Sequence, residues 1–199
     1  MPEKPWDARL AYQLIYPLRN SRVTPNHLTC ARLFCGIVAV PCLATGDYLW
    51  TNLGAFSFVI SNFLDHTDGE LARLTNKKSK TGHIFDLASD ALVNIFLFVG
   101  IGAGLRHSEL EYWSIPMGIV SGLAVATIFH LRHEIEKKVG KSYTRQPHFK
   151  DIEAEDVLYL LPLVSLFDWL LPFLLLATIG APVFAVLVWN EYTRVKNKS

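Results

Sequence analysis

Four aspartates are spaced so that two helices could turn them toward one another. Asp65 and Asp68 lie three residues apart, and Asp86 and Asp90, further along the chain, lie four apart. Since a helix turns about 100° per residue, each pair shares one helical face. The same counting adds small, cationic and amide residues to these two faces: Gly69, Ala72 and Arg73 on the first, and Gly82 and Asn94 on the second.

Crowded carboxylates point to bound cations. Like charges repel and are costly to bury unless they are neutralised. A set of oxygen ligands favours Mg²⁺, Mn²⁺ or Ca²⁺ over zinc. Gly69 and Ala72 leave space for a bulky ligand, and Arg73 offers a planar cation suited to phosphate. The pattern therefore predicts a metal-dependent site for a nucleotide diphosphate.

The surrounding residues indicate a membrane protein. The chain has 199 residues, of which 51% are hydrophobic and 19% charged, with 3 Cys and a net charge of +1. These values exclude disorder and a disulfide scaffold, and no overall field favours nucleic acid. The apolar blocks predict an all-α integral membrane protein with six transmembrane helices. The expected spans are about 28–50, 52–74, 82–105, 112–134 and two within about 155–193, which breaks near Asp168.

The cations predict an orientation. Of the 19 Lys and Arg residues, all but Arg32 and Arg106 are assigned to the two termini or to the second-to-third and fourth-to-fifth connections. By the positive-inside rule, both termini and the four aspartates then lie on the cytoplasmic side.

The N-terminal residues predict one further element. Apolar residues recur every four positions at Trp6, Leu10, Leu14 and Leu18, which favours an amphipathic interfacial helix within 1–22. A frayed tail is the alternative. Residues 1–199 would form one membrane domain, with the six-helix bundle at about 28–195.

At this point the sequence resembles a known family. The string Asp65-x2-Asp68-Gly69-x2-Ala72-Arg73-x8-Gly82-x3-Asp86-x3-Asp90 matches the signature of the CDP-alcohol phosphotransferases position for position. The preceding stretch Thr24-Pro25-Asn26-x2-Thr29-x2-Arg32 is similar to the same family.

The resemblance implies roles for the matched residues. Asp65, Asp68, Asp86 and Asp90 would hold two Mg²⁺ or Mn²⁺ ions, and Asp90 would take the proton of an acceptor hydroxyl. Contacts to the CDP-linked donor would come from Asn26, Arg32, Gly69, Ala72, Arg73, Ser79 and Gly82. For Arg32 a second interpretation is open, since its side chain could extend to the membrane surface. Homodimers are common in the family, and the Gly-rich third and fourth spans could supply an interface.

The expected reaction is transfer of a phosphatidyl group from CDP-diacylglycerol to a small polyol or polyol phosphate, releasing CMP, in phospholipid biosynthesis. An anionic acceptor would contact Arg132, His133, Lys141 and Arg145, although this connection could instead contact anionic lipid head groups. The first alternative is transfer of phosphocholine or phosphoethanolamine from a CDP-base to a lipid alcohol. The others are a divalent-cation transporter and a non-catalytic lipid-binding membrane protein.

Overall fold

The described part of the chain is helical. The computed structural model describes residues 6–75, 80–139 and 154–198, and no strand occurs within these ranges. Its α-helices are α1 (Trp6–Ile15), α2 (Pro25–Ala44), α3 (Tyr48–Leu74), α4 (Lys80–Gly104), α5 (Ser114–Val139), α6 (Leu161–Leu166) and α7 (Leu170–Lys198). Short 3-10 helices occur at Tyr16–Asn20, Leu105–His107, Glu111–Trp113 and Ala154–Leu160. The all-α prediction is confirmed.

Helices α2 and α3 form a tight antiparallel hairpin. Pro25 occupies the first turn of α2, where its fixed φ suits a helix start. The chain reverses at Gly46, whose φ of +71° favours glycine, and an added Cβ would lie 2.4 Å from the carbonyl oxygen of Gly104. The Asp47 side chain then caps α3 by accepting from the backbone N–H groups of Leu49 and Trp50. This hairpin places residue 32 of α2 beside the second half of α3.

Within the described residues, four helical segments are long and apolar enough to cross a membrane. They are Pro25–Ala44, Ile84–His107, Glu111–Val139 and Leu170–Asn197. Helix α3 has 27 residues but also buries polar side chains along its length, among them Ser61 and Asp68. The structure thus supports several membrane-length helices, and the number six stays a prediction.

The expected fifth span is built differently from a regular α-helix. The 3-10 helix Ala154–Leu160 leads into α6, which has only 6 residues. The predicted break falls where expected: Asp168 has a φ of +56°, and α7 begins at Leu170.

The N-terminal segment is helical over Trp6–Ile15, and the side chains that pack against the rest of the protein are not those of the predicted stripe. Ala11 and Ile15 of α1 are buried, and α1 packs against α3. Leu10 and Leu14 are exposed. Residues 1–5, which belong to the predicted interfacial segment, lie outside the described ranges. The interfacial role of α1 stays a prediction.

Small residues let the helices approach closely. Helix α2 packs against α3 and α4, and α5 packs against α4 and α7. An added Cβ at Gly118 would lie 2.3 Å from the carbonyl oxygen of Phe98, and one at Gly104 would lie 2.2 Å from that of Leu43. The glycines of the third and fourth predicted spans therefore serve contacts within the chain, so they no longer argue for a homodimer.

Candidate active site

Two helices bring three of the four predicted aspartates together. Asp65 and Asp68 project from the last three turns of α3, and Asp86 projects from the second turn of α4. One carboxylate oxygen from each residue lies within 4.8 Å of the others. The helical spacing therefore predicted this meeting of α3 and α4 correctly.

Asp90 lies one turn further along α4. Its Oδ1 is 4.0 Å from Nη1 of Arg32, and it stands outside the close group of three. Asn94 donates from Nδ2 to the backbone oxygen of Asp90 at 2.9 Å. The side chains of Asp65, Asp86 and Asp90 are 24%, 41% and 33% exposed, so a ligand can reach the cluster.

Arg32 lies among the aspartates. Its side chain is 2% exposed, and Nη1 forms an ion pair with Asp65 and lies 3.4 Å from Oδ1 of Asp86. Nη2 donates to the backbone oxygen of Asp86 at 2.9 Å. Of the two interpretations open for Arg32, the structure does not show the extended side chain that would reach the membrane surface.

Two polar residues for which the sequence predicted no role support this arrangement. Thr29 is buried and donates from Oγ1 to Oδ2 of Asp68 at 2.7 Å. Ser61 is buried and donates to the backbone oxygen of Arg32 at 2.8 Å. A signal for Thr29 was available, because it lies three residues before Arg32 and so shares its helical face.

The expected donor-binding residues of α3 lie on its more open side. A Cβ added at Gly69 would have no heavy atom within 4 Å, so space for a ligand is present there. Ala72 is partly buried. Arg73 is half exposed and donates from Nη1 to Oε1 of the buried Glu70 at 2.5 Å. Glu70 is a further residue that the sequence analysis missed.

The remaining predicted site residues are spread more widely. Asn26 is exposed in the first turn of α2, and Gly82 is partly buried in the first turn of α4. Arg132 lies toward α7, with Nη1 3.9 Å from Oε2 of Glu191, and His133 is partly buried. Ser79, Lys141 and Arg145 lie outside the described residues.

A groove lined by residues of α4 and α5 lies beside Asp90. It has a volume of about 310 Å³. Its lining is mostly apolar: Ile84, Leu87, Ala88, Asp90, Ala91, Ala126, Phe129 and His130.

The cluster suits a hard divalent cation. Its ligands are all carboxylate oxygens, as Mg²⁺ and Mn²⁺ prefer. Oδ1 of Asp86 is buried and accepts no hydrogen bond from the described residues, so it is available to a cation. The carboxylate ligands therefore fit both expected metals, Mg²⁺ and Mn²⁺.

Comparison with known proteins agrees with this chemistry. A family model for CDP-alcohol phosphatidyltransferase matches residues 22–190. Cholinephosphotransferase 1 of Xenopus laevis is 29% identical over 99 residues, which are 46% of this chain and 25% of the relative. CDP-diacylglycerol–glycerol-3-phosphate 3-phosphatidyltransferases of Rickettsia felis and Rickettsia prowazekii are each 33% identical over 76 residues, 38% of this chain and 42% of the relative.

The matched segments cover between 25% and 42% of the length of these relatives, so the chain matches less than half of each of them. The family model covers far more of this chain than any of the three pairwise matches, and it spans α2 to α7 with the whole carboxylate cluster. A membrane-helix bundle that carries this cluster, matched over that length, belongs to the CDP-alcohol phosphatidyltransferase family.

Proposed function

We propose that this chain transfers a phosphatidyl group from CDP-diacylglycerol to the hydroxyl of a small polyol or polyol phosphate and releases CMP. The observation that carries the proposal is the meeting of Asp65, Asp68 and Asp86 within 4.8 Å, with Asp90 one turn away on the same helix. The names of the Rickettsia relatives support CDP-diacylglycerol as the donor.

Asp65, Asp68, Asp86 and Asp90 are the residues that would hold Mg²⁺ or Mn²⁺. Bound there, the metal supplies charge neutralisation for the donor diphosphate and for the departing CMP. Gly69 leaves space beside α3 for the cytidine group, and Ala72 adds little bulk one turn on. Arg73, half exposed, can pair with a donor phosphate.

The further donor contacts proposed are Asn26, Arg32, Ser79 and Gly82. Asn26 is exposed at the start of α2, at the same end of the bundle as the aspartates. Gly82 lies one turn before Asp86, so a side chain there would face the cluster.

Asp90 is the proposed catalytic base. It accepts the proton of the acceptor hydroxyl, whose oxygen forms a bond to the lipid-bearing phosphorus. The bond between that phosphorus and the oxygen that bridges the donor diphosphate breaks, and this oxygen leaves as part of CMP. Asn94 donates to the Asp90 backbone oxygen, which helps to hold this part of α4 in place.

The acceptor is proposed to be small and polar, with a polyol phosphate favoured. The Rickettsia relatives are named for glycerol 3-phosphate. Residues Arg132, His133, Lys141 and Arg145 are the proposed contacts for an anionic acceptor. Arg132 already lies near Glu191 and over the ring of Phe184, at 5.7 Å from its centroid, so its side chain would have to turn toward the acceptor.

A second candidate is transfer of phosphocholine or phosphoethanolamine from a CDP-base to a lipid alcohol. The name of the Xenopus relative favours it. The apolar groove beside Asp90 also favours it, because an apolar acceptor could approach the base between α4 and α5.

We further propose that residues 1–199 form one domain of six spans, with both termini and the carboxylate cluster on the cytoplasmic side. The segment 154–166 is the proposed short fifth span. In the middle of this segment the ring of Tyr159 stacks on that of His66, 6.4 Å between centroids, and at its C-terminal end Tyr48 donates to the backbone oxygen of Leu166 at 3.2 Å.

The exposed surface of α7 supports a membrane location. Leu176 and Ile179 are 74% and 71% exposed, as expected for side chains that contact lipid. Self-association into a homodimer is kept as a proposal that chemical cross-linking in membranes can test.

A transporter function has less support. The charged residues that are buried in the described chain are Arg32, Asp68 and Glu70. All three lie at the carboxylate end, whereas a cation path would need ionisable groups across the membrane. The assay below distinguishes a non-catalytic lipid-binding protein from an enzyme, because only the enzyme releases CMP.

The test incubates the purified full chain in detergent with Mn²⁺ or Mg²⁺ and measures CMP release. CDP-diacylglycerol is paired with glycerol, glycerol 3-phosphate, inositol or inositol phosphate, and CDP-choline or CDP-ethanolamine is paired with diacylglycerol. We expect CMP with CDP-diacylglycerol and a polyol or its phosphate. Release only with a CDP-base would favour the second candidate, and no release from any pair would contradict both.

A further inference from the structure

The guanidinium of Arg32 lies among the carboxylates that are proposed to bind the metal. Its Nη1 forms an ion pair with Asp65, lies 3.4 Å from Asp86 and lies 4.0 Å from Asp90. A single guanidinium nitrogen is therefore near carboxylates from both α3 and α4. The Arg32 side chain is 2% exposed, so water solvates its guanidinium little, and the carboxylates are its main partners.

The contacts of Arg32 are electrostatic but incompletely hydrogen-bonded. Nε is buried and donates no hydrogen bond to the described residues, whereas Nη1 is paired with Asp65. On the acid side, the buried Oδ1 of Asp86 accepts none. Arginine–carboxylate pairs are frequently bidentate, but within the described residues Arg32 meets the three carboxylates through Nη1 alone.

The backbone of Arg32 is held in place, so movement would be confined to its side chain. Ser61 donates to the Arg32 backbone oxygen at 2.8 Å. One turn earlier, Thr29 is joined to Asp68. The long arginine side chain can change its rotamers while α2 stays packed against α3.

We infer that Arg32 is a built-in counter-cation of the carboxylate cluster, which a divalent cation must displace in order to bind. The inference rests on the metal site of the proposed function. In the absence of metal, the guanidinium offsets part of the repulsion among the four carboxylates. After displacement, the same guanidinium is released to pair with a phosphate of the donor.

The inference makes opposite predictions for stability and for metal affinity. Replacing Arg32 by Gln removes the positive charge, so the metal-free protein loses thermal stability. The same change removes the competitor, so Mn²⁺ binds about tenfold more tightly or better. Arg32→Lys keeps the charge and has an affinity between those of Arg32→Gln and the original chain.

The test titrates the purified full chain with Mn²⁺ alone and counts free ion by electron paramagnetic resonance, beside thermal unfolding with and without metal. Arg106→Gln is the matched control. Arg106 donates to the backbone oxygens of Ala44 and Ala103 at the other end of the bundle, so its loss lowers stability without changing Mn²⁺ affinity. Unchanged or weaker Mn²⁺ binding by Arg32→Gln contradicts the inference.

A measurement on the unaltered chain covers the case in which Arg32→Gln does not fold. Addition of Mg²⁺ shifts the nuclear magnetic resonance signal of the Arg32 Nε–H, assigned through Arg32→Lys. An unchanged signal at saturating Mg²⁺ contradicts displacement. These readouts need no turnover, so a chain that releases no CMP can still satisfy the inference, and an active chain can still refute it.

Discussion

Thr29 and Asp68 form a hydrogen bond that joins α2 to α3 within the carboxylate cluster. Oγ1 of Thr29 lies 2.7 Å from Oδ2 of Asp68, and the two residues are 3% and 4% exposed. A buried carboxylate without a donor is costly, and the hydroxyl also fixes its orientation. Helix α2 is thereby part of the site, although all four aspartates project from α3 and α4.

Replacing Thr29 by Val keeps its shape and removes this hydrogen bond. We expect the free energy of unfolding to fall by about 1.5–3 kcal/mol, the usual worth of a hydrogen bond to a charged group. Mn²⁺ affinity should fall as well, because Asp68 loses its orientation. Thermal unfolding and Mn²⁺ titration measure both effects. Thr29→Ser keeps the hydroxyl and is the control, and equal behaviour of the two variants would contradict this role.

Changing Asp65, Asp68 or Asp86 to Asn removes one anionic ligand each. We expect each variant to lose most of the thermal stabilisation that Mn²⁺ gives, which is about 2.7 kcal/mol at a hundredfold excess over Kd. The control is Asp168→Asn, since Asp168 lies in the break before α7 and Asn tolerates its φ of +56°. If Asp168→Asn loses the response as fully as the three variants, the cluster is not the metal site.

Changing Asp90 to Asn removes the proposed base but keeps the size of the side chain. We expect the rate of CMP release to fall by about a hundredfold to ten-thousandfold, the usual contribution of a general base. Binding of the CDP donor, measured by its protection against thermal unfolding, should be largely kept. A variant with a near-normal rate would show that another residue takes the proton.

Changing Gly69 to Leu fills the space beside α3. Because an added Cβ has no neighbour within 4 Å, we expect no loss of folding stability. Donor binding should weaken by about tenfold, since the new side chain occupies volume that cytidine needs. Gly180→Leu is the matched control, because Gly180 of α7 is equally open and lies away from the aspartates. Equal donor affinity of the two variants would contradict the placement of cytidine.

The carboxylate pairing was predictable because it depends on the local spacing of residues on two helices. Asp65, Asp68 and Asp86 needed only the helical repeat and an antiparallel hairpin to meet. Arg32, the shared partner of Asp65 and Asp86, was placed less well. Its position depends on how α2 packs against α3, and nothing in the spacing of one helix reports that contact.

Two further features depended on tertiary contacts. Glu70 is buried against Arg73, which the sequence analysis had assigned to phosphate without a protein partner. The 3-10 stretch Ala154–Leu160 was expected to be part of an ordinary span, because hydropathy does not distinguish a 3-10 helix from an α-helix.

The end of the bundle opposite the aspartates is tied together by one side chain. Arg106 donates from Nη1 to the backbone oxygens of Ala44 and Ala103 at 2.7 and 2.8 Å, and Gly46 lies in backbone contact with Gly104. Helices α2 and α4 are therefore anchored to each other far from the chemistry. We expect any widening that admits a lipid-linked nucleotide to leave this anchored end in place, so that the helices move most where the aspartates are.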